Sequence, residues 1–186
     1  MESAIYGKAV KKGIAPAIAI CNPKYARNVG GAIRAASCFS IKQVWFSGNR
    51  VSLDPKGKER LPREERMKGY GEVELRQSDY FFDCFERDVT PISVELIEGA
   101  EILTQFEHPE KPLYVFGPED GSIPQVARRL CHRHVVIPTR HCTNLAAAIY
   151  IMLYDRLLKR QLAGIEPILP MNEFLAEKRG IEYNNK

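Results

Sequence analysis

Asn28 and Arg34 stand six residues apart around the pair Gly30-Gly31, so that an amide and a guanidinium share one short stretch. An asparagine at such a place caps a helix through its side-chain oxygen, and a helix end with free amides suits a phosphate. Farther along, Gly117-Pro118-Glu119-Asp120-Gly121 sets two carboxylates in a turn. Its glycines lack the side chain that would keep a ligand off the backbone. A third stretch, Ile137-Pro138-Thr139-Arg140-His141-Cys142-Thr143-Asn144-Leu145-Ala146, offers small polar groups at Thr139, Cys142, Thr143 and Asn144. That composition fits a cradle for a polar ligand, and it also fits a helix cap. Each stretch has a purely structural reading: a cap with a surface arginine, a tight turn, a linker with a proline.

The elements that must position these groups follow one pattern. Ile14 to Ile20 is an apolar run that reads as a buried strand, followed by a helix through Ile33, Ala36 and Phe39 that Asn28 caps. Gln43 to Phe46, Glu72 to Leu75, Pro91 to Leu96, Pro112 to Phe116 and His134 to Ile137 read as strands. Ser78 or Asp79 caps a helix carrying Tyr80, Phe81, Cys84 and Phe85, and Ile97 to Gln105 is loop with a turn of helix. Ile123 to Leu130 is a short helix, and Asn144 to Leu162 the longest, its stripe of Leu145, Ala148, Ile149, Met152 and Leu153 suited to burial. Gly164 and Pro167 end it, and a weak helix near Asn172 to Lys178 follows. Strands alternate with helices, which predicts an α/β fold with a mostly parallel sheet. Ligands in such sheets bind at the carboxyl ends of the strands, where all three stretches lie.

Residues 48 to 71 break the alternation with a basic, apolar-poor excursion that includes Arg60, Arg63 and Arg66. Loops of that length in compact domains are functional or disordered as a rule. The whole chain, 186 residues with 45% hydrophobic content, fits one domain able to bury a core. Lysine and arginine outnumber acids 27 to 23, a mild surplus of +4 that permits a polyanionic partner. Five cysteines without metal-site spacing suggest a reduced, intracellular, cytoplasmic chain. No apolar run approaches a membrane span. A P-loop, a dinucleotide GxGxxG, a GxSxG and an HExxH are all absent. The four histidines suggest neither a metal nor a triad by spacing.

Taken together, Asn28-Val29-Gly30 with Arg34, then Phe116 to Gly121, then Ile137-Pro138 with Asn144-Leu145 resemble the ordered motifs of the SpoU branch of SPOUT RNA methyltransferases. The resemblance spans residues 14 to 160. Two departures are visible: Cys142-Thr143-Asn144 stands where the family often has Ser-Leu-Asn, and Thr139 where it often has Met. The resemblance implies helices on both faces of the sheet, a C-terminal trefoil knot, a homodimer, S-adenosyl-L-methionine as cofactor and tRNA or rRNA as substrate, with no metal. It implies that Arg34, Asn28 and Glu119 are catalytic, with Glu119 either taking a proton or capping the helix near Ile123. It implies cofactor contacts from Glu95, Gly117, Gly121, Ile137, Thr139, Cys142, Asn144 and Leu145. The reaction implied is ribose 2′-O-methylation. Base-nitrogen methylation, or an RNA-binding module without chemistry, are the alternatives. The expected layout is a catalytic domain over 1–162 with the basic insertion at about 48–71, and a tail over 163–186.

Overall fold

The computed structural model describes residues 12–51 and 72–179, with side chains up to 175. Seven strands form one sheet: β1 (Ala17–Ile20), β2 (Gln43–Phe46), β3 (Glu74–Gln77), β4 (Thr90–Val94), β5 (Glu101–Ile102), β6 (Pro112–Phe116) and β7 (Arg133–Val136). Their spatial order is β3-β2-β1-β6-β4-β7-β5. Every ladder is parallel, with Ile20 opposite both Phe46 and Phe116. Parallel sheets are buried on both faces, and alternate residues of β1 accordingly join different cores. Ile18 and Ile20 pack with Val44, Phe46, Tyr114 and Phe116 under the helices α1 (Ala26–Cys38) and α3 (Leu145–Leu162). Ala17 and Ala19 face Trp45, Leu113 and Val115 under the short helix α2 (Gln125–Arg129) and a 3-10 turn at Phe81–Cys84. A last helix, α4, spans Met171–Arg179.

Several expected boundaries move for identifiable reasons. The first strand begins at Ala17, not Ile14: Pro16 has no amide for a ladder, and the Ile14 amide donates 2.8 Å to the Gln43 side chain instead. The helix expected over Tyr80 to Phe85 is only the 3-10 turn, which buries Phe81 and Cys84. Neither expected cap serves a helix there: the Ser78 hydroxyl accepts from Tyr80, and the Asp79 carboxylate accepts from Gly48. The stretch read as loop before Gln105 contains β5, a two-residue edge strand. Asn144 does cap α3, its side-chain oxygen accepting from Ala147 at 2.7 Å.

The helices α1 and α3 approach closely because of one glycine. A Cβ on Gly31 would lie 2.8 Å from the Cβ of Ala146, inside contact distance. Ile149, Met152 and Leu153 on the same side of α3 are at most 3% exposed. Among the described residues no helix is long and apolar enough to cross a membrane.

Candidate active site

At the carboxyl edge of β4, β6 and β7 lies a cavity of about 500 Å³. Its apolar wall includes Val94, Phe116, Val136, Leu145 and Ala148, and its polar lining includes Glu95, Glu119, Thr139 and Arg140. The loop after β6 and the loop after β7 supply most of the rim, as expected for a sheet of this kind. Gly117 sets the shape. A Cβ there would come 3.0 Å from the Ile123 amide nitrogen and 3.2 Å from the Ser122 carbonyl carbon, so any larger residue would push the returning limb outward. Glu95 holds the returning limb, its carboxylate accepting the Ile123 amide at 2.8 Å. Glu119 does not cap the helix near Ile123: α2 has no side-chain cap, and the Ile123 amide before it is held by Glu95.

Glu119 reaches the other way. Its carboxylate accepts the backbone amides of Lys24 at 2.6 Å and Tyr25 at 3.4 Å, together with the Asn28 side-chain amide. Asn28 is the third residue of α1, whose cap position is Tyr25, so Asn28 does not cap the helix. Gly30 and Gly31 lie within the helix and offer no free amides at its start. The anion that this helix end attracts is thus the protein's own carboxylate, delivered from the second motif to the first. Burial pushes the Glu119 carboxyl up, but hydrogen bonds from Asn28, Lys24 and Tyr25 outweigh it and hold the group below the ordinary glutamate value. An ionised, multiply bonded carboxylate is a poor proton acceptor.

Asp120 ties a third loop to this edge. The Arg50 guanidinium meets both of its oxygens at 3.0 Å and also donates to the Asn22 carbonyl at 2.5 and 3.2 Å. Lys24 Nζ lies 3.3 Å from the same carboxylate. The hydrogen bond from Arg50, and then that from Lys24, hold Asp120 below the usual carboxylate range against the effect of burial.

Of the residues singled out in the sequence, Glu95, Gly117, Glu119, Gly121, Ile137, Thr139, Cys142 and Leu145 share the cavity lining. Asn28 stands behind Glu119, and Asn144 stands beside the cavity with its side chain engaged as a cap. Arg34 is exposed on α1 and is not a lining residue. It lies near Tyr150, whose phenol is raised by burial and by Cys38 while the Arg34 cation opposes the rise. Arg60, Arg63 and Arg66 fall outside the described residues. The apolar wall residues Val94, Val136 and Ala148 were not anticipated. The available signal was their position, at the carboxyl ends of two strands and in the first turn of the helix that follows.

An all-parallel α/β sheet with a glycine-shaped cavity built from the segments that follow β4, β6 and β7 defines a ligand-binding domain of the doubly wound kind. Residues 15–154 match the SpoU rRNA Methylase family, and the chain belongs to that family. No curated protein matches the chain. Among solved structures, the A. aeolicus TrmH/SpoU tRNA modifying enzyme superposes with a TM-score of 0.65 at 16% identity, over 95% of this chain and 93% of that one. A structure concerned with the 2-OH methylation of C/U34 on tRNA gives a TM-score of 0.64 at 23% identity, over 80% of this chain and 96% of that one. AviRb from Streptomyces viridochromogenes, a SpoU methyltransferase in complex with AdoMet, gives 0.63 at 19% identity over 77% of this chain; the match spans 60% of AviRb. These likenesses are of fold.

Proposed function

We propose that this RNA methyltransferase of the SpoU family transfers a methyl group to a ribose 2′-oxygen of tRNA or rRNA. The observation that carries the reading is that the loops of the second and third motifs line one cavity shaped by Gly117, while Glu119 ties the first motif to its wall through Asn28. The similar structure concerned with 2-OH methylation of tRNA supports the choice of ribose. S-adenosylmethionine is the cofactor, and the residues present suit it. The cavity volume falls in the range of small-molecule sites. Val94, Phe116 and Leu145 give apolar walls for an adenine, and the Glu95 carboxylate suits a cationic ligand. When bound, that cofactor supplies a methyl group already activated by its sulfonium charge.

The chain's own contribution is positioning, which accounts for a large share of rate in displacements of this kind. Gly117 and Gly121 admit the ligand to the backbone, while Ile137, Thr139, Cys142 and Leu145 frame it from the other loop. A guanidinium offers donors and no acceptor, so the role of Arg34 is to grip the acceptor phosphate and polarise the hydroxyl. Asn28 acts through Glu119, keeping α1 on the cavity rim. Glu119 is assigned to this positioning and not to proton removal, because its lowered pKa makes it a weak base and its oxygens are already engaged.

A homodimer belongs to the same proposal. Arg34 lies off its own chain's cavity, and α3 exposes Tyr154, Leu158 and Leu162 at four-residue spacing, 59%, 39% and 76% accessible. The knot that the resemblance implies is also proposed, with the cavity loops 117–124 and 137–144 as its crossing segments.

Arg34→Lys is expected to abolish methyl transfer while calorimetry still registers cofactor binding. Near-normal turnover would overturn the role given to Arg34. Mapping ribose methylation in tRNA and rRNA from cells with and without the protein tests the reaction itself, and nucleoside mass analysis separates ribose from base products.

A further inference from the structure

Three cations meet around the amino end of α1, beside the cavity. Lys24 Nζ stands 5.4 Å from the Tyr25 ring centroid, and the Arg27 guanidinium carbon stands 4.4 Å from the same centroid. Arg50 is the third, on the loop after β2. The backbone here is one carboxylate away from the cavity wall, because Glu119 lines that wall and accepts the amides of Lys24 and Tyr25.

The balance of charge at this rim is uneven. Two carboxylates are present, Glu119 and Asp120. Glu119 is engaged by two backbone amides and Asn28. Asp120 is engaged by Arg50, whose three guanidinium nitrogens all donate to Asp120 or to the Asn22 carbonyl. A guanidinium has five donors in a fixed fork, so Arg50 has none left for a ligand. It neutralises Asp120 and fixes it in place. Lys24 touches Asp120 with one of its three donors, and no carboxylate pairs with Arg27 among the described residues. Two cations near one aromatic ring, the Lys24 side chain 41% exposed and Arg27 exposed, still face solvent.

We propose that Lys24 and Arg27, beside Tyr25, form a phosphodiester subsite for the acceptor RNA, with Arg50 as the positioning residue that takes up most of the Asp120 charge and leaves Lys24 donors free. The proposal rests on the RNA-methyltransferase reading. Interleaved cations and an aromatic suit a nucleic-acid backbone with an adjacent base, and the place suits a strand whose next ribose enters the cavity. It lies apart from Arg34, which sits farther along α1 near Tyr150.

The test is equilibrium binding of unfractionated tRNA and rRNA to the full chain across a salt series, alongside cofactor binding by calorimetry. Lys24→Gln and Arg27→Gln should each weaken RNA binding several-fold and reduce the slope of log K against log salt by about 0.7 to 0.9. The cofactor Kd should not move. Lys111→Gln removes a cation at the opposite edge of the sheet, where Lys111 pairs with Asp88. Its slope should match wild type. Arg50→Gln should weaken RNA binding by unmasking Asp120, and Arg50→Gln with Asp120→Asn should restore it. Unchanged slopes in the Lys24 and Arg27 variants would overturn the subsite while leaving the RNA reading intact. Equal losses in Lys111→Gln, or failure of the double variant to recover, would likewise count against it. A wild-type chain that binds neither RNA would sink both readings together.

Discussion

Glu119 is ionised where a catalytic base would need to be neutralisable, and this difference has a measurable signature. Its folded-state pKa is lowered from the ordinary 4.5. The stability it contributes is therefore present above that value and is lost as pH falls through the lower folded one. Glu119→Gln should lower Tm at neutral pH, with a cost on the order of 1–3 kcal/mol for disturbed buried hydrogen bonds. The gap between variant and wild type should narrow as pH falls below 4.5 toward the lower folded-state value; a constant gap would mean that the charge contributes nothing. His108 behaves in the same sense for another reason. Burial depresses its pKa from 6.5 to about 4, against the pull of Asp155. Its ring lies between the Tyr114 hydroxyl at 2.6 Å and the Asp155 carboxylate at 2.8 Å. The unfolded chain binds a proton that the folded one refuses, so stability present above pH 6.5 is lost as pH falls toward 4. The slope is at most about 1.4 kcal/mol per pH unit. Denaturant midpoints across that window, compared with His108→Gln, should show the slope reduced in the variant. Which side chains stand in the cavity was largely legible from the motifs. What the side chains do was not: the partners of Glu119 lie more than 90 residues away along the chain, and spacing along a motif carries no information about such contacts.

At the level of elements, legibility followed burial. β6, a continuous run of five fully buried residues, was read to its ends. Strand β3, with exposed Glu74 and Gln77 at its ends, was read two residues early, and the two-residue β5 was not read at all. Edge strands carry little apolar patterning, because half their ladder faces solvent. The two glycines of the first motif show the same limit. Gly31 was expected near a ligand, but its contact is Ala146 across the α1–α3 interface. Gly31→Val should force the helices apart and destabilise the chain by about 1–3 kcal/mol. Equilibrium denaturation checks this, and a ΔΔG near zero would show that the interface relaxes freely. Gly117→Ala acts instead on the turn that shapes the cavity, so cofactor affinity should fall more than stability does.

At the scale of the whole molecule, the exposed apolar stripe of Tyr154, Leu158 and Leu162 is the surface on which the proposed homodimer rests. Sedimentation at micromolar concentration should give a dimer that Leu158→Glu with Leu162→Glu converts to monomer. A wild-type monomer would remove the argument from α3. The order of the strands has a temporal consequence as well. β1 lies inside the sheet, next to the central strand β6, with Ile20 opposite Phe116. During synthesis, at about 5–20 residues per second, β1 leaves the ribosome roughly 5 to 20 seconds before that neighbour is made. For that interval an apolar strand destined for complete burial has an open flank. Nascent chains ending before Pro112 should be protease-sensitive and prone to self-association, and chains extended past Phe116 should become resistant. The parallel arrangement that brings the second and third motifs to one cavity, with the first held behind it by Glu119, thus makes folding late and nonlocal, and leaves the newborn chain dependent on being held apart from its copies until β6 is made.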